Sequence, residues 1–446
     1  MRKFSDCAIS KNKLSFKMPD DITNALLNDE LVLFAGAGIS TESDIIFKET
    51  IYDDIKSELD IDKSIDISFP ELMSKFCDST TNGRQKLLEK IKQRFDYCHQ
   101  FNELYRAASR FHSEIAPIWM LKNIITTNWD DYFERNCDAI PIVTPEDFVF
   151  YKIDQRKVFK IHGSISNYGS VIATTNDYEK CYNNLNTGLI GATLKTMLAT
   201  KTLIFVGYSF RDYDFMKILN FIKEEMKDVL PHIYIVTLDE FINKRIDGIK
   251  HTIVKTDGRY FFTRLRQILE DRKIIIPQEN IERIYHVEYL RSEMHKLVSE
   301  DFIKNRISTL IYCLFYQDGI QHAIDCLKHK EKSGETYNPH YLINMFRSYF
   351  ESMRKDLSKA KNYADLAYVD GYIKGITIPL HEEFEPEEFP LFYIYGKGSV
   401  NDVKLFKDTV NNNKVYHKTA EKYGKQFFKE LLKKDNELIA HHRPFI

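Results

Sequence analysis

At 446 residues the chain is too long for one ordinary core and predicts two domains. Hydrophobic residues make up 43% of it and aromatic residues 13%, which excludes a disordered chain. Its 63 basic and 65 acidic residues leave a net charge of −2, so the charge balance predicts no broad cationic face for nucleic acid.

No apolar run approaches the ~20 residues that span a bilayer. The first residues carry charge but no continuous apolar core, so no secretory signal is expected. Cysteines at positions 7, 77, 98, 137, 181, 313 and 326 include no CxxC pair. That scatter suits reduced thiols in a cytoplasmic protein better than disulfides or a four-cysteine zinc site.

In chain order, Leu31–Ala35 reads as a first strand and runs into a glycine turn, followed by a helix over Phe47–Leu59. Residues 70–116 carry apolar positions at helical spacing, as in Leu87, Leu88, Ile91 and Phe95, with a break near 78–83. Strands are expected at Asn123–Thr127, Val158–His162, Leu203–Val206, Ile233–Val236 and Thr252–Lys255, with helical stretches such as Leu189–Ala199, Tyr213–Met226 and Arg259–Glu270 between them. Short buried strands alternating with helices imply an α/β fold, with a Rossmann-like, mostly parallel sheet covered on both faces. Lys273–Pro277 reads as a last strand or a connector. Beyond it the alternation stops, and residues 280–446 read as mainly α-helical, interrupted by an acidic, proline-containing loop over 376–390. The expected division is therefore an N-terminal segment 1–29, an α/β domain over 30–275 with a helical module at about 60–116, and a helical domain over 280–446.

Four polar islands follow strand candidates. Gly36-Ala37-Gly38-Ile39-Ser40 lets the backbone approach a ligand closely, and a helix starting at Ser40 would aim free N–H groups at a pyrophosphate. Alone, it is equally a tight structural turn. Thr126-Thr127-Asn128-Trp129-Asp130 puts polar side chains at a strand's C-terminal end, where open α/β sheets bind ligands. Asn128 can donate and accept at once, as an amide or a ribose hydroxyl requires, and either Asn128 or Asp130 can instead cap the next helix. His162-Gly163 supplies a residue suited to general-base work near neutral pH, or a structural histidine. Gly207-Tyr208-Ser209 supplies a hydroxyl that either meets a ribose or phosphate or caps a helix. Asp239 or Glu240 can hold a ribose or cap a helix. The adjacent pair His441-His442 reads as polar tail rather than metal ligands, and Glu382–Glu388 as a solvated acidic turn or a docking loop.

Taken in order, these motifs resemble the sirtuin superfamily: GAGIS its GAGxS loop, Thr126–Asp130 its Asn-x-Asp motif, then its catalytic His-Gly and its Gly-x-Ser. The resemblance implies an NAD-binding domain that cleaves the nicotinamide–ribose bond. It implies that Gly36, Ala37, Gly38 and Ser40 line the phosphates and ribose, that Asn128 and Asp130 lie toward the nicotinamide, and that Thr127 and Asp212 also bind the cofactor. It further implies His162 as base toward ribose or water, Gly207 and Ser209 against the dinucleotide, and Phe210 and Asp212 as a GxSFxD continuation.

Two departures matter. Where protein deacylases place an arginine-containing stretch, this chain has Thr41–Lys48, and between Gly163 and Gly207 it has one cysteine, Cys181, instead of paired zinc ligands. No zinc is expected. What remains is similar to antiphage effectors of the Thoeris and HerA–sirtuin systems. The expected activity is hydrolysis of NAD to nicotinamide and ADP-ribose by a regulated homo-oligomer, controlled by a protein partner such as a HerA-type ATPase or a phage-derived activator. An NAD-dependent deacylase and a non-catalytic NAD or ADP-ribose sensor are the alternatives.

Overall fold

Leu31-Val32-Leu33-Phe34-Ala35 is apolar at every position and buried at every position, as a strand covered on both faces must be. It is the centre of the sheet in the computed structural model of the chain. The structure describes residues 14–446 apart from 41–45, 63, 211–212, 227–230, 247–249, 382–384, 395–396, 413–416, 432–440 and 445–446. The seven strands are β1 (Leu31–Ala35), β2 (Asn123–Thr126), β3 (Ile140–Ile142), β4 (Lys157–Lys160), β5 (Thr202–Val206), β6 (Ile233–Thr237) and β7 (His251–Lys255). They lie in the order β3-β4-β2-β1-β5-β6-β7, and every pairing is parallel. The mostly parallel α/β sheet expected from the sequence is thus present.

Strand residues alternate between two covered faces. Val32, Phe34, Ile125, Phe159, Leu203 and Phe205 join one core with Leu194, Leu198, Leu219 and Ile222 of the following helices. Val206 points the other way, where Gly258 approaches so closely that a Cβ on it would sit 2.3 Å from the Val206 Cγ1. Phe111 and Phe262 pack edge to face on that side, with centroids 5.4 Å apart.

The helical module comprises Ile51–Glu58, Phe69–Ser79, Gly83–Gln100, Asn102–Ala108 and Arg110–Ile115. Its first helix starts at Ile51 rather than Phe47, because Thr50 and Asp53 form a reciprocal capping box there. The module has a core of its own, including Ile55, Leu72, Phe76, Leu87 and Ile91. That core also takes in Ile165, Val171 and Ala173 from the segment after β4.

β3 was not expected. It has three residues, one of them Pro141, which cannot donate to a ladder and is tolerated here at the sheet's edge. Lys273–Pro277 is a connector and not a strand.

The chain divides into two compact units, Met1–Ile268 and Leu269–Ile446. The second is mainly helical, with long helices at Gln278–Asn305, Ile311–Lys330, Ser348–Lys359 and Tyr363–Thr377. Helices 311–330 and 363–377 touch backbone to backbone: a Cβ on Gly319 would lie 2.0 Å from the Tyr368 carbonyl, and one on Gly371 would lie 1.9 Å from that of Tyr316. A short antiparallel hairpin, Phe392–Ile394 with Gly398–Val400, was also not expected within the helical region.

Candidate active site

Register brings the four islands together. Ala35 pairs with Thr126 on one side and Val206 on the other, and Thr126 pairs with Lys160. The residues that follow, from Gly36, Thr127, Ile161 and Gly207 onward, therefore emerge side by side at the C-terminal edge of four adjacent parallel strands. The chain leaves β1 for β2 on one side and returns to β5 on the other, the switch point at which such sheets bind ligands.

The β1 and β5 loops interlock through backbone. Gly36 N–H donates to the Val206 carbonyl at 2.9 Å, and Gly38 N–H to that of Gly207 at 3.0 Å. A Cβ on Gly36 would lie 2.5 Å from the Gly207 oxygen, and Gly207 itself has a φ of 63°. These glycines are required by loop-against-loop contact, a demand separate from any ligand. Ala37–Ile39 makes a single 3-10 turn, and Ser40 leaves it with φ −123° and ψ −130°. A helix opening at Ser40 is not found among the described residues; residues 41–45 lie outside them, and the next helix begins at Ile51.

Asn128 is the best-defined polar group of the site and is 7% exposed. Its backbone N–H donates to Thr126 Oγ1 at 3.0 Å, and Thr126 Oγ1 donates to the Ala35 carbonyl at 2.9 Å. Its Nδ2 donates to the Gly36 carbonyl at 3.2 Å and to Ser40 Oγ at 3.0 Å. Since a carbonyl can only accept, the amide orientation is fixed. Asn128 Oδ1 is then left buried without a hydrogen-bond partner. A buried lone acceptor costs free energy until an N–H or O–H reaches it, and it repels phosphate.

Thr127 is partly buried beside it. Asp130, 3% exposed, accepts the Tyr132 N–H at 3.3 Å in a local turn just before the helix Tyr132–Cys137, whose N-cap position is Asp131.

His162 lies two residues past the end of β4 and is 6% exposed. Its carbonyl accepts the Ile172 N–H at 3.0 Å, and its ring meets the edge of Tyr178 with centroids 4.9 Å apart. Gly163, at φ 82°, closes so tightly on Ser170 that a Cβ would lie 2.0 Å from the Ser170 carbonyl. The Ile161 N–H bonds the Thr126 carbonyl at 3.0 Å and the Ile165 N–H bonds that of Trp129 at 2.9 Å, joining the loops after β2 and β4. From the helical module, Arg84 donates to the Val171 carbonyl at 2.6 Å and pairs with Asp177 at 2.7 Å.

Ser209 is exposed, and its carbonyl accepts from Arg245 Nη1 at 3.1 Å. Asp212 lies outside the described residues. Asp239 pairs with Arg245 at 2.6 Å and accepts the Phe241 N–H at 2.9 Å, while Glu240 pairs with Lys255 at 2.6 Å. Cys181 is buried and donates to the Ile161 carbonyl at 3.2 Å.

Sequence reasoning missed the polar groups beneath the site. The Lys160 amine is fully buried; it donates to the Trp129 and Asp130 carbonyls and pairs with Glu134 at 2.9 Å. Burial pushes the Glu134 carboxyl up, against the pull of Lys160. Fully buried His112, with neither ring nitrogen bonded, is held down to about 4 by burial. Arg156 donates to five carbonyls, among them Leu121 at 2.9 Å, Cys137 at 2.9 Å and Ile118 at 2.8 Å. The available signal was a lysine inside the apolar run Val158–Ile161, since a buried lysine demands partners.

Residues 122–261 match the family model described as the SIR2-like domain. The match covers the Asn128, His162 and Gly207–Ser209 islands and begins after the glycine loop. The chain therefore carries a SIR2-like domain, in line with the sirtuin resemblance of its motifs.

Among curated proteins it is 29% identical over 209 residues to the NAD(+) hydrolase ThsA of Cytobacillus dafuensis, covering 46% of this chain and 40% of that protein. It is 27% identical over 214 residues to the protein of the same name from Acinetobacter baumannii, covering 46% and 42%. It is 26% identical over 217 residues to Defense-associated sirtuin 2 of Bacillus subtilis, covering 47% and 21%. The kinship is distant, and the matches span less than half the length of each relative. No helix among the described residues is long and apolar enough to cross a membrane.

Proposed function

We propose that the chain is an NAD+ glycohydrolase that cleaves the nicotinamide–ribose bond to release nicotinamide and ADP-ribose. The observation that carries this reading is the buried, unpartnered Asn128 Oδ1 at the C-terminal edge of the central strands. An acceptor of that kind suits a carboxamide N–H, a ribose hydroxyl or a held water, and all three occur around the C1′ of NAD. The kinship to proteins named NAD(+) hydrolase points the same way.

In the proposed reaction the C1′–N1 bond breaks heterolytically. Its electron pair passes to the pyridinium nitrogen, so neutral nicotinamide leaves, and an oxocarbenium-like ribose remains. Water attacks C1′ and gives a proton to the His162 ring, which returns it to solvent. Asn128 orients the water or the carboxamide. Preorganised groups in a buried site act on developing charge more strongly than they would in water. Gly36, Ala37, Gly38, Ser40, Thr127, Gly207 and Ser209 would contact the dinucleotide. Asp130 and Asp212, the latter outside the described residues, would contact the dinucleotide as well, as the motif resemblance implies.

The same reading makes the chain an antiviral effector that depletes NAD, present as a cytoplasmic homo-oligomer and held inactive until assembly or a protein partner releases it. Residues 280–446 would carry that control.

The test is NAD alone with the full chain, in each assembly state separated by size, with products resolved as nicotinamide, ADP-ribose and cyclic ADP-ribose. Hydrolysis is expected without any acyl-peptide, and Asn128→Ala or His162→Ala should lower it by about 100-fold or more. Turnover at the wild-type rate in either variant would remove the assignment. A requirement for acyl-peptide would indicate a deacylase, and stable binding without turnover in every state a sensor.

A further inference from the structure

A second cluster of chemistry-bearing side chains lies wholly within the unit Leu269–Ile446. Helix 278–305 supplies His295, helix 311–330 supplies Asp318, and the segment near the C-terminus supplies His441. One ligand atom from each lies within 4.8 Å of the others. Asp318 is 3% exposed and its neighbour Gln317 is fully buried, an expensive placement for two polar residues in mid-helix.

The hydrogen bonds set the state of His295. Gln317 Nε2 donates to the Leu391 carbonyl at 3.0 Å, which turns Gln317 Oε1 toward His295 Nδ1 at 3.1 Å. An amide oxygen can only accept, so Nδ1 carries the proton and Nε2 presents a bare lone pair. That Nε2 is buried and has no hydrogen-bond partner. An imidazole that donates one N–H to an oxygen and turns its other nitrogen into a shared gap is arranged as metal-binding histidines are.

The remaining groups complete the arrangement. The His441 ring lies parallel to that of His295, with centroids 5.3 Å apart, and its Nδ1 meets Asp318 Oδ1 at 2.8 Å. His442 is fastened separately: its N–H donates to Asp318 Oδ2 at 2.8 Å, its Nε2 meets Asp365 at 3.0 Å, and its ring stacks on Tyr368. The two histidines read from sequence as plain polar tail are thus clasped by two carboxylates, because the fold brings Asp318 and Asp365 to them. Arg291 lies one helical turn before His295, and its charge acts on His295, Asp318 and His441.

We propose that His295, Asp318 and His441 bind one transition-metal dication of the zinc class, which fastens the segment 441–444 to helices 278–305 and 311–330. Two imidazoles and a carboxylate suit zinc or cobalt and do not suit magnesium or calcium, which favour all-oxygen sets. On binding, His441 moves its proton from Nδ1 to Nε2, and the metal takes the place of that proton between His441 and Asp318. The site uses no residue assigned to the proposed NAD chemistry.

The experiment uses the untagged full chain, stripped with chelator and titrated with Co2+, then with Zn2+ in competition, and checked by elemental analysis. One equivalent is expected, with visible absorption from Co2+ that Zn2+ abolishes. His295→Gln, Asp318→Asn and the half-exposed His441→Gln should each weaken binding more than about 100-fold. Gln317→Leu, which frees the His295 ring, should weaken it about tenfold. Arg291→Gln should tighten it by removing a like charge, and His442→Gln should leave the stoichiometry at one.

Circular dichroism separates misfolding from ligand loss, and the peripheral His441→Gln suffices if the buried variants do not fold. Absence of bound metal from the wild-type chain, or equal binding by His441→Gln, overturns the proposal and leaves a hydrogen-bonded clasp.

Discussion

The two halves of the candidate site are built by different means. The loops after β1 and β5 are fixed by backbone, through Gly36 and Gly38 bonding to Val206 and Gly207 with no space for a Cβ between them. The loops after β2 and β4 share two backbone bonds and are tied further by side chains, through Thr126 and Asn128 above and Lys160 with Glu134 below. The first half withstands changes of charge and fails on added volume. The second, apart from its tight turn at Gly163, is expected to fail when a side-chain partner is removed.

The largest expected effect comes from breaking the second half at its buried cation. Lys160→Met leaves the Glu134 carboxylate and two carbonyls without their donor, and removing one partner of a buried ion pair costs about 3–5 kcal/mol. Denaturant unfolding of the single variant measures that loss. Lys160→Met with Glu134→Leu should recover a good part of it, since an apolar pair of similar volume is tolerated where half a pair is not. If the double variant is no more stable than the single one, the ion pair is not what holds this half.

Volume tests the first half. Gly36→Val would press a side chain into the Gly207 carbonyl and Tyr208, and Gly207→Val adds a backbone at φ 63° that valine does not adopt without strain. NAD turnover, measured as nicotinamide release, should fall by about 100-fold, equivalent to about 3 kcal/mol. Lys160→Met heated to partial unfolding should lose structure and activity together. The glycine variants should lose activity while their circular dichroism stays close to wild type. Near-wild-type turnover in Gly36→Val would mean that the loops separate without consequence.

This contrast also explains what the sequence made legible. Glycine pairs after apolar runs are visible in one dimension, and so are Asn128 and His162, because each follows a strand. The sheet itself was readable from Leu31–Ala35 and Leu203–Val206, whose unbroken apolar character reflects cover on both faces. Lys160, Arg156 and His112 were not readable, because their partners are carbonyls and rings far off in sequence, such as Leu121 and Cys137 for Arg156. β3 escaped for a related reason: Ile140-Pro141-Ile142 lacks the length and donors of a strand, and only its place at the sheet edge makes it one. The clasp of His441 and His442 likewise depends on Asp318 and Asp365, which no local pattern connects to the C-terminus.

A pH-dependent test probes the ground beneath the second half. His112 is buried among Tyr132 and Phe133, and its folded-state pKa is lowered to about 4 from an unfolded value near 6.5. As pH falls below that unfolded value, the unfolded chain takes up a proton that the folded chain refuses. Stability is therefore whole above about pH 6.5 and lost progressively down to about pH 4, by on the order of 3 kcal/mol. His112→Leu removes the titrating group, so its stability should fall less between pH 7 and pH 4 than that of the wild type. Urea midpoints at several pH values measure the difference, and parallel pH profiles for the two proteins would place the acid sensitivity elsewhere.

The smallest expected effect is at Ser209, and it marks the limit of the first half. Its side chain is exposed, and its carbonyl is already bonded to Arg245, so the loop keeps its path without the hydroxyl. If the hydroxyl meets the dinucleotide, as the Gly-x-Ser resemblance implies, it binds substrate and transition state alike. Ser209→Ala should then raise KM by less than about tenfold and leave kcat unchanged, the signature of uniform binding. A fall in kcat instead would bring Ser209 into the reacting centre and make the β5 loop more than a backbone clamp. Unfolding should change by no more than about 0.5 kcal/mol, as at other exposed positions. The backbone half of the site would then owe its shape to Gly36, Gly38 and Gly207, and its hydroxyl only to the ligand.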